Sequence, residues 1–250
     1  MKLAVLKERT AGERRVAISP KSISKLQSLG CEVFIEQGAG KEAAFTDKDY
    51  QEAGAQIASD MAQAMQGADI VVKINPPTQE EINSLQEGQK LVCQLFHRLN
   101  QDLINQLTQR KVSAFSLDAM PRISRAQSMD VLSSQSNLSG YKAVITGADH
   151  MAKIFPMLMT AAGTISPSRV LIFGVGVAGL QAIATAKRLG AIVEATDVRP
   201  ECKEQTESLG AKFIEVEDEG VKTEGGYAKW QHAFVQRQED VSDRAQGEAR

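Results

Sequence analysis

RVLIFGVGVAGLQAIATAKRLGAIVEATD, residues 169–197, reads as a buried strand, a glycine turn, a helix and a second strand that ends on an acid. VLIF at 170–173 is apolar, β-prone and short, as expected of a strand covered on both faces of a parallel sheet. Gly174, Gly176 and Gly179 follow at GxGxxG spacing. The first glycine permits the tight turn, the second lets the backbone approach a pyrophosphate, and the third lets the next helix pack closely on the strand. That helix points the positive end of its dipole at the phosphates. Leu180, Ile183 and Ala184 recur at helical spacing, Lys187 and Arg188 sit near the helix end, where cations suit the dipole, and Gly190 stops it.

The second strand, 191–196, leads into Asp197, placed where an acid accepts hydrogen bonds from the adenosine ribose hydroxyls of a dinucleotide. An acid there repels a 2′-phosphate, so NAD is favoured over NADP. Arg199 reads as a solvated loop charge; the alternative is a cation that holds such a phosphate. A glycine turn alone arises often by chance. Here strand, helix, second strand and acid agree, which favours a nucleotide site over a purely structural turn.

The rest of the chain bounds the reading. With 250 residues, of which 42% are hydrophobic, it can bury one large core or two smaller ones. A net charge of −2 with scattered cations gives no case for nucleic acid. Cys31, Cys93 and Cys202 are odd in number and far apart, so no disulfide framework or zinc site is indicated and a reducing compartment fits. His150 and His232 have no neighbouring ligands in sequence, so no metal site is expected. The opening MKLAVLKERT is too short in apolar residues for a signal peptide, and no segment approaches the roughly 18 apolar residues of a membrane span. Work at a membrane would require a partner.

Strands are expected at LAVL, EVFIE, DIVVKI, KLVCQLF and KVSAFSL, with helices at about 20–29, 47–53 and 59–65. This alternation implies a second, mostly parallel sheet. The predicted fold class is α/β: two Rossmann-like domains with parallel sheets and a cofactor cleft between them, the second apparently truncated. The expected organisation is a first domain at 1–133, a helical connector at 134–155 and a nucleotide domain at 156–250. After Asp197 a helix through 202–209 and a strand at KFIEV follow, and from 236 the residues are mainly polar. The nucleotide domain thus has about half the strands of a complete fold, which implies either truncation or an abbreviated form.

ERRVAISP at 13–20, EVFIEQGAG at 32–40, MPRISRAQSMDVLSSQSNLSGY at 120–141, the glycine stretch and GGYAK at 225–229 together resemble the NAD(H)-binding component of proton-translocating nicotinamide nucleotide transhydrogenase. That component lies within the alanine dehydrogenase/transhydrogenase family. The resemblance implies a homodimeric enzyme subunit that binds NADH and passes its hydride to NADP⁺ on a separate component. It further implies coupling to proton movement through a membrane-spanning component, and a cytoplasmic location on the inner membrane through that partner.

By the same resemblance, Arg122, Gln127 and Asp130 form the catalytic loop at the nicotinamide end, and Ser133 touches the carboxamide. As fork donor, amide, carboxylate and hydroxyl, these groups suit a carboxamide and its ribose. The plain alternative is a polar loop in which Ser128 and Asp130 cap the next helix. The other cofactor-binding residues implied are Gly174, Gly176, Val177, Gly179, Asp197, Val198 and Arg199, with Gly226 and Tyr227 on a mobile loop and Gln238 beyond it. The segment after Tyr227 is one residue shorter than the family pattern.

Alanine dehydrogenases are the competing reading. In that family a lysine follows the strand written here as VVKINPP and a histidine ends the one written LVCQLFH. Here Asn75 takes the lysine position, and His97 is displaced by one residue, onto the other face if the strand continues. Arg15 remains, and a lone arginine is more often a structural ion pair than a carboxylate clamp. A third reading is a non-catalytic NAD-binding module, weakly stable because an unfinished sheet exposes apolar surface.

Overall fold

The computed structural model describes residues 1–121 and 123–215. Arg122, Gly226, Tyr227 and Gln238 lie outside the described residues. The chain divides into two compact units, Met1–Val131 and the part from Leu132 onward.

In the first unit six strands form one sheet: β1 Lys2–Val5, β2 Glu32–Glu36, β3 Gln56–Ala58, β4 Ile70–Val72, β5 Lys90–Cys93 and β6 Ser113–Ser116. Their order is β3-β2-β1-β4-β5-β6, and every pairing is parallel. Strand β1 shows why both faces are covered: Leu3 and Val5 join one core cluster, and Ala4 and Leu6 join the other. Period-two alternation on a doubly covered sheet leaves no polar face, so the strands read as continuous apolar runs.

Helices α1 Ile23–Ser28, α2 Asp47–Glu52, α3 Met61–Met65, α4 Gln79–Ser84 and α5 Gln101–Gln109 fill the crossovers. Short polar helices need good ends. Thr46 with Asp49, and Thr78 with Glu81, form reciprocal capping boxes, and Asp60 caps α3 through the Gln63 amide. Strand β3 and helices α4 and α5 have no counterpart in the sequence reading. In α5 only Leu103 and Leu107 are buried, one turn apart, too thin a stripe to stand out.

The predicted strand KLVCQLF is cut short at Cys93. The amides of Leu95 and Phe96 turn to the Asp118 carboxylate, and Phe96 adopts a left-handed φ of 47°. His97 therefore lies beyond the strand, and strand parity does not decide which way it faces.

The long helix α6, Val131–His150, starts on the last residue of the first unit and otherwise belongs to the second, where an antiparallel hairpin follows it, β7 Leu158–Thr160 with β8 Gly163–Ile165, that the sequence reading did not anticipate. Then come β9 Arg169–Phe173, α7 Val177–Arg188, β10 Ile192–Thr196, α8 Cys202–Ser208 and β11 Lys212–Phe213. Strands β11, β10 and β9 form a parallel sheet in that order, with Val193 beside Val170 and Ala195 beside Ile172. Its core includes Val175, Ile183, Ala186, Val193, Ala195 and Cys202. The α/β class with two parallel sheets is as expected from the sequence.

Candidate functional site

Strand β9 and helix α7 meet at a turn whose glycines are not interchangeable. Gly174 has φ 86°, in the left-handed region where a side chain is strained. Gly176 is the residue before α7, and a Cβ added there meets nothing within 4 Å. A Cβ on Gly179 would stand 1.9 Å from the Gly174 carbonyl oxygen, so the helix touches the turn backbone to backbone. The first intrahelical bond runs from the Leu180 amide to the Gly176 oxygen. The amides of Val177, Ala178 and Gly179 are therefore the orphan donors of the helix start, beside open space at Gly176. Donors, dipole and room together fit a pyrophosphate.

Asp197, just past β10, is drawn back to this turn. Its Oδ2 accepts the Val175 amide at 2.6 Å and Arg199 Nη2 at 3.1 Å. Its Oδ1 accepts the Arg199 amide at 2.9 Å and Arg199 Nε at 3.0 Å. Burial works against the carboxylate, yet the Arg199 fork and the two amides outweigh it and hold the carboxyl below its ordinary range. Arg199, expected as a solvated loop charge, is instead committed to Asp197 and to the Val175 carbonyl, 3.3 Å from Nη2. Val198 is half-buried between them.

Sequence reasoning missed three neighbours of this turn. Val175 supplies the amide that aims Asp197. Gly140, in mid α6, lies so close to α7 that a Cβ would stand 2.1 Å from the Ala178 oxygen. A glycine inside a helix was the available signal, since it is tolerated there chiefly for a packing or functional reason. Cys202 is 1% exposed, with its thiol directed at the Val175 oxygen. Burial pushes that thiol up to about 11, and the Cys93 thiol up to about 12. Both are thus expected to resist a thiol reagent at pH 8 until denaturant is added. Rapid labelling of Cys202 in the folded chain, read by mass, would contradict the burial.

Of the nicotinamide-end set, Gln127 is exposed on a 3₁₀ helix, Ser124–Met129, anchored by buried Ala126. Asp130 is half-buried immediately before α6, and Ser133 is half-buried in its first turn.

In the first unit, β1 and β4 flank the point where strand order reverses, the usual place for a ligand crevice. The polar groups there are engaged with one another. Asn75 Nδ2 donates to Glu8 at 3.1 Å and to Glu13 at 3.0 Å. The Arg15 fork closes on Glu13 at 2.8 and 2.6 Å, and that bidentate bond carries the Glu13 carboxyl down to about 2.

Residues 4–139 match the model for the alanine dehydrogenase/PNT N-terminal domain, and residues 143–246 match the model for its C-terminal domain. The chain belongs to the alanine dehydrogenase/PNT family. Within this family it is 58% identical, over 237 residues, to an NAD(P) transhydrogenase alpha subunit of Rhodospirillum rubrum, covering 92% of this chain and 62% of the relative. It is 32% identical over 213 residues to alanine dehydrogenase 2 of Staphylococcus aureus, covering 84% of this chain and 56% of that one. Among solved structures, a transhydrogenase from Sinorhizobium meliloti has a TM-score of 0.84 at 46% identity, covering 87% of this chain and 62% of that one. An L-alanine dehydrogenase has a TM-score of 0.75 at 29% identity, covering 85% and 60%.

The chain thus spans somewhat under two thirds of the length of these relatives. This alanine dehydrogenase/PNT chain carries dehydrogenase-type nucleotide domains, and its close relatives are subunits of a multi-component transhydrogenase. Among the described residues no helix is long and apolar enough to cross a membrane, and no cluster of three or more His, Cys, Asp or Glu could hold a metal ion.

Proposed function

We propose that this chain is the NAD(H)-binding component of a proton-translocating transhydrogenase. It passes hydride between NADH and NADP⁺ held on a partner component, as a homodimer seated on the cytoplasmic face of the inner membrane by a membrane-spanning proton-channel component. The observation that carries this reading is 58% identity with the Rhodospirillum rubrum subunit across 92% of the chain, against 32% with the alanine dehydrogenase.

The nicotinamide ring supplies the hydride when the nucleotide is bound, and the protein supplies binding and orientation. Orphan amides at the start of α7 bind the pyrophosphate. Asp197 accepts from the adenosine ribose, with Val198 and Arg199 beside it. Arg122, Gln127, Asp130 and Ser133 hold the nicotinamide end, with Arg122, Gln127 and Asp130 as the catalytic set; Gly226, Tyr227 and Gln238 complete the nucleotide contacts. No side chain needs to exchange a proton with a substrate carbonyl. In the first unit, Arg15 is ion-paired to Glu13, and the neutral Asn75 is held between two carboxylates. Neither is a spare cation for an oxo acid, which weighs against the dehydrogenase reading.

The test combines the full chain with an NADP(H)-binding component and follows hydride transfer from NADH to an NADP⁺ analogue. Transfer is expected only with the partner. NADH oxidation by pyruvate and ammonia without it would establish the dehydrogenase instead. In binding, Asp197→Asn is expected to weaken NADH about tenfold or more, because hydrogen bonds to a charged acceptor are stronger than those to an amide oxygen. Titration by nucleotide fluorescence measures this, and unchanged affinity would remove Asp197 from the site.

A further inference from the structure

The Asp197 carboxylate has no acceptor capacity to spare. Two donors fall on each oxygen, the Val175 amide with Arg199 Nη2 and the Arg199 amide with Arg199 Nε, at 2.6 to 3.1 Å. A carboxylate offers about four lone-pair sites. Ribose hydroxyls directed at it therefore meet a filled acceptor. The two amides are backbone, Val175 in the glycine turn and Arg199 just after β10, and cannot leave without unmaking the local fold. The guanidinium can leave: its side chain is 33% exposed against 6% for Asp197.

The geometry points to Arg199 as a specificity-determining residue, a removable cover that the adenosine ribose displaces from Asp197 and that then stands beside the 2′-position. This rests on the reading of Asp197 as ribose acceptor. Two effects of opposite sign follow. For NADH the cover lowers affinity, because two side-chain hydrogen bonds to Asp197 and one to the Val175 oxygen are broken on binding. For NADPH the displaced fork is tethered two residues from Asp197 and attracts the 2′-phosphate, offsetting part of the repulsion from the acid. An acid at this position alone would discriminate more sharply than the pair does.

The experiment titrates the full chain and its Arg199→Ala, Arg199→Lys and Asp197→Asn variants with NADH and with NADPH. Arg199→Ala is expected to bind NADH about threefold tighter, the scale of a partly exposed ion pair. The same variant should bind NADPH about tenfold weaker, the scale of a lost charge-assisted hydrogen bond. Arg199→Lys, which keeps the charge without the fork, is expected to retain most of the NADPH affinity, and it guards against a folding defect in the alanine variant. If Arg199→Ala weakens NADH, or leaves the NADH to NADPH ratio unchanged, while Asp197→Asn still weakens NADH, the cover is refuted and the ribose acceptor stands. If Asp197→Asn leaves NADH unaffected, the parent reading fails and this inference fails with it.

Discussion

Gly179→Ala is expected to abolish NADH binding and to destabilise the second unit by about 1–3 kcal/mol, the usual cost of forcing extra atoms into a tight core. The added Cβ would lie 1.9 Å from the Gly174 oxygen, and that neighbour is backbone, which cannot rotate aside. Helix α7 must lift off the turn, carrying its first amides away from where phosphates bind and loosening Ile183 and Ala186 from the core. Gly176→Ala separates the two effects. Its φ of −82° suits alanine and its Cβ meets nothing, so stability should hold, while the methyl group fills the space a pyrophosphate needs. Thermal unfolding and NADH titration of both variants provide the check. A Gly179→Ala protein with unchanged melting and unchanged affinity would show that helix and turn are not in contact.

The turn was legible because its information is local. Strand β9, the three glycines, α7 and β10 lie within residues 169–197, and each piece carries its own pattern: an apolar run, fixed glycine spacing, helical periodicity, a closing acid. What the same stretch could not reveal was the state of Asp197. Its partners include the Val175 amide, 22 residues back in the chain, brought near only when β9 and β10 pair in register, Thr196 beside Phe173. The misreading of Arg199 has the same origin, since a charge in a loop looks solvated until the fold supplies a carboxylate of the right orientation.

In the first unit the strands with long apolar runs and helices α1 to α3 were found, and the elements with few apolar residues, β3, α4 and α5, were not. Helix α4 is almost wholly polar, QEEINS, and its stability comes from the Thr78–Glu81 capping box and from burial of Ile82. The strand around KLVCQLF was overextended because hydrophobicity continues through Leu95 and Phe96. The competing Asp118 acceptor, more than 20 residues away, ends the ladder and is invisible to periodicity.

Glu81→Gln is expected to be the most damaging polar substitution in the first unit. Lys73, directly after β4, donates to Glu81 Oε2 at 2.6 Å, and the two side chains are 1% and 2% exposed. Glu81 also accepts the Thr78 amide at 2.7 Å and Arg9 Nη1 at 3.3 Å, so one carboxylate ties the end of β4, the start of α4 and the segment after β1. With glutamine there, the Lys73 ammonium stays buried without a counter-charge, a loss of about 3–5 kcal/mol. Lys73→Met is expected to cost less. Glu81 then keeps Arg9 and the Thr78 amide, and Arg9 in turn remains paired to Glu36 at 2.6 Å. The double variant Lys73→Met with Glu81→Gln removes both charges and should recover most of the loss, because a buried pair contributes little net stability against an uncharged replacement. Urea unfolding followed by circular dichroism separates these outcomes. Equal and small effects of both single changes would mean that water reaches the pair; a double variant worse than either would mean that the ammonium has a second partner that the methionine also removes.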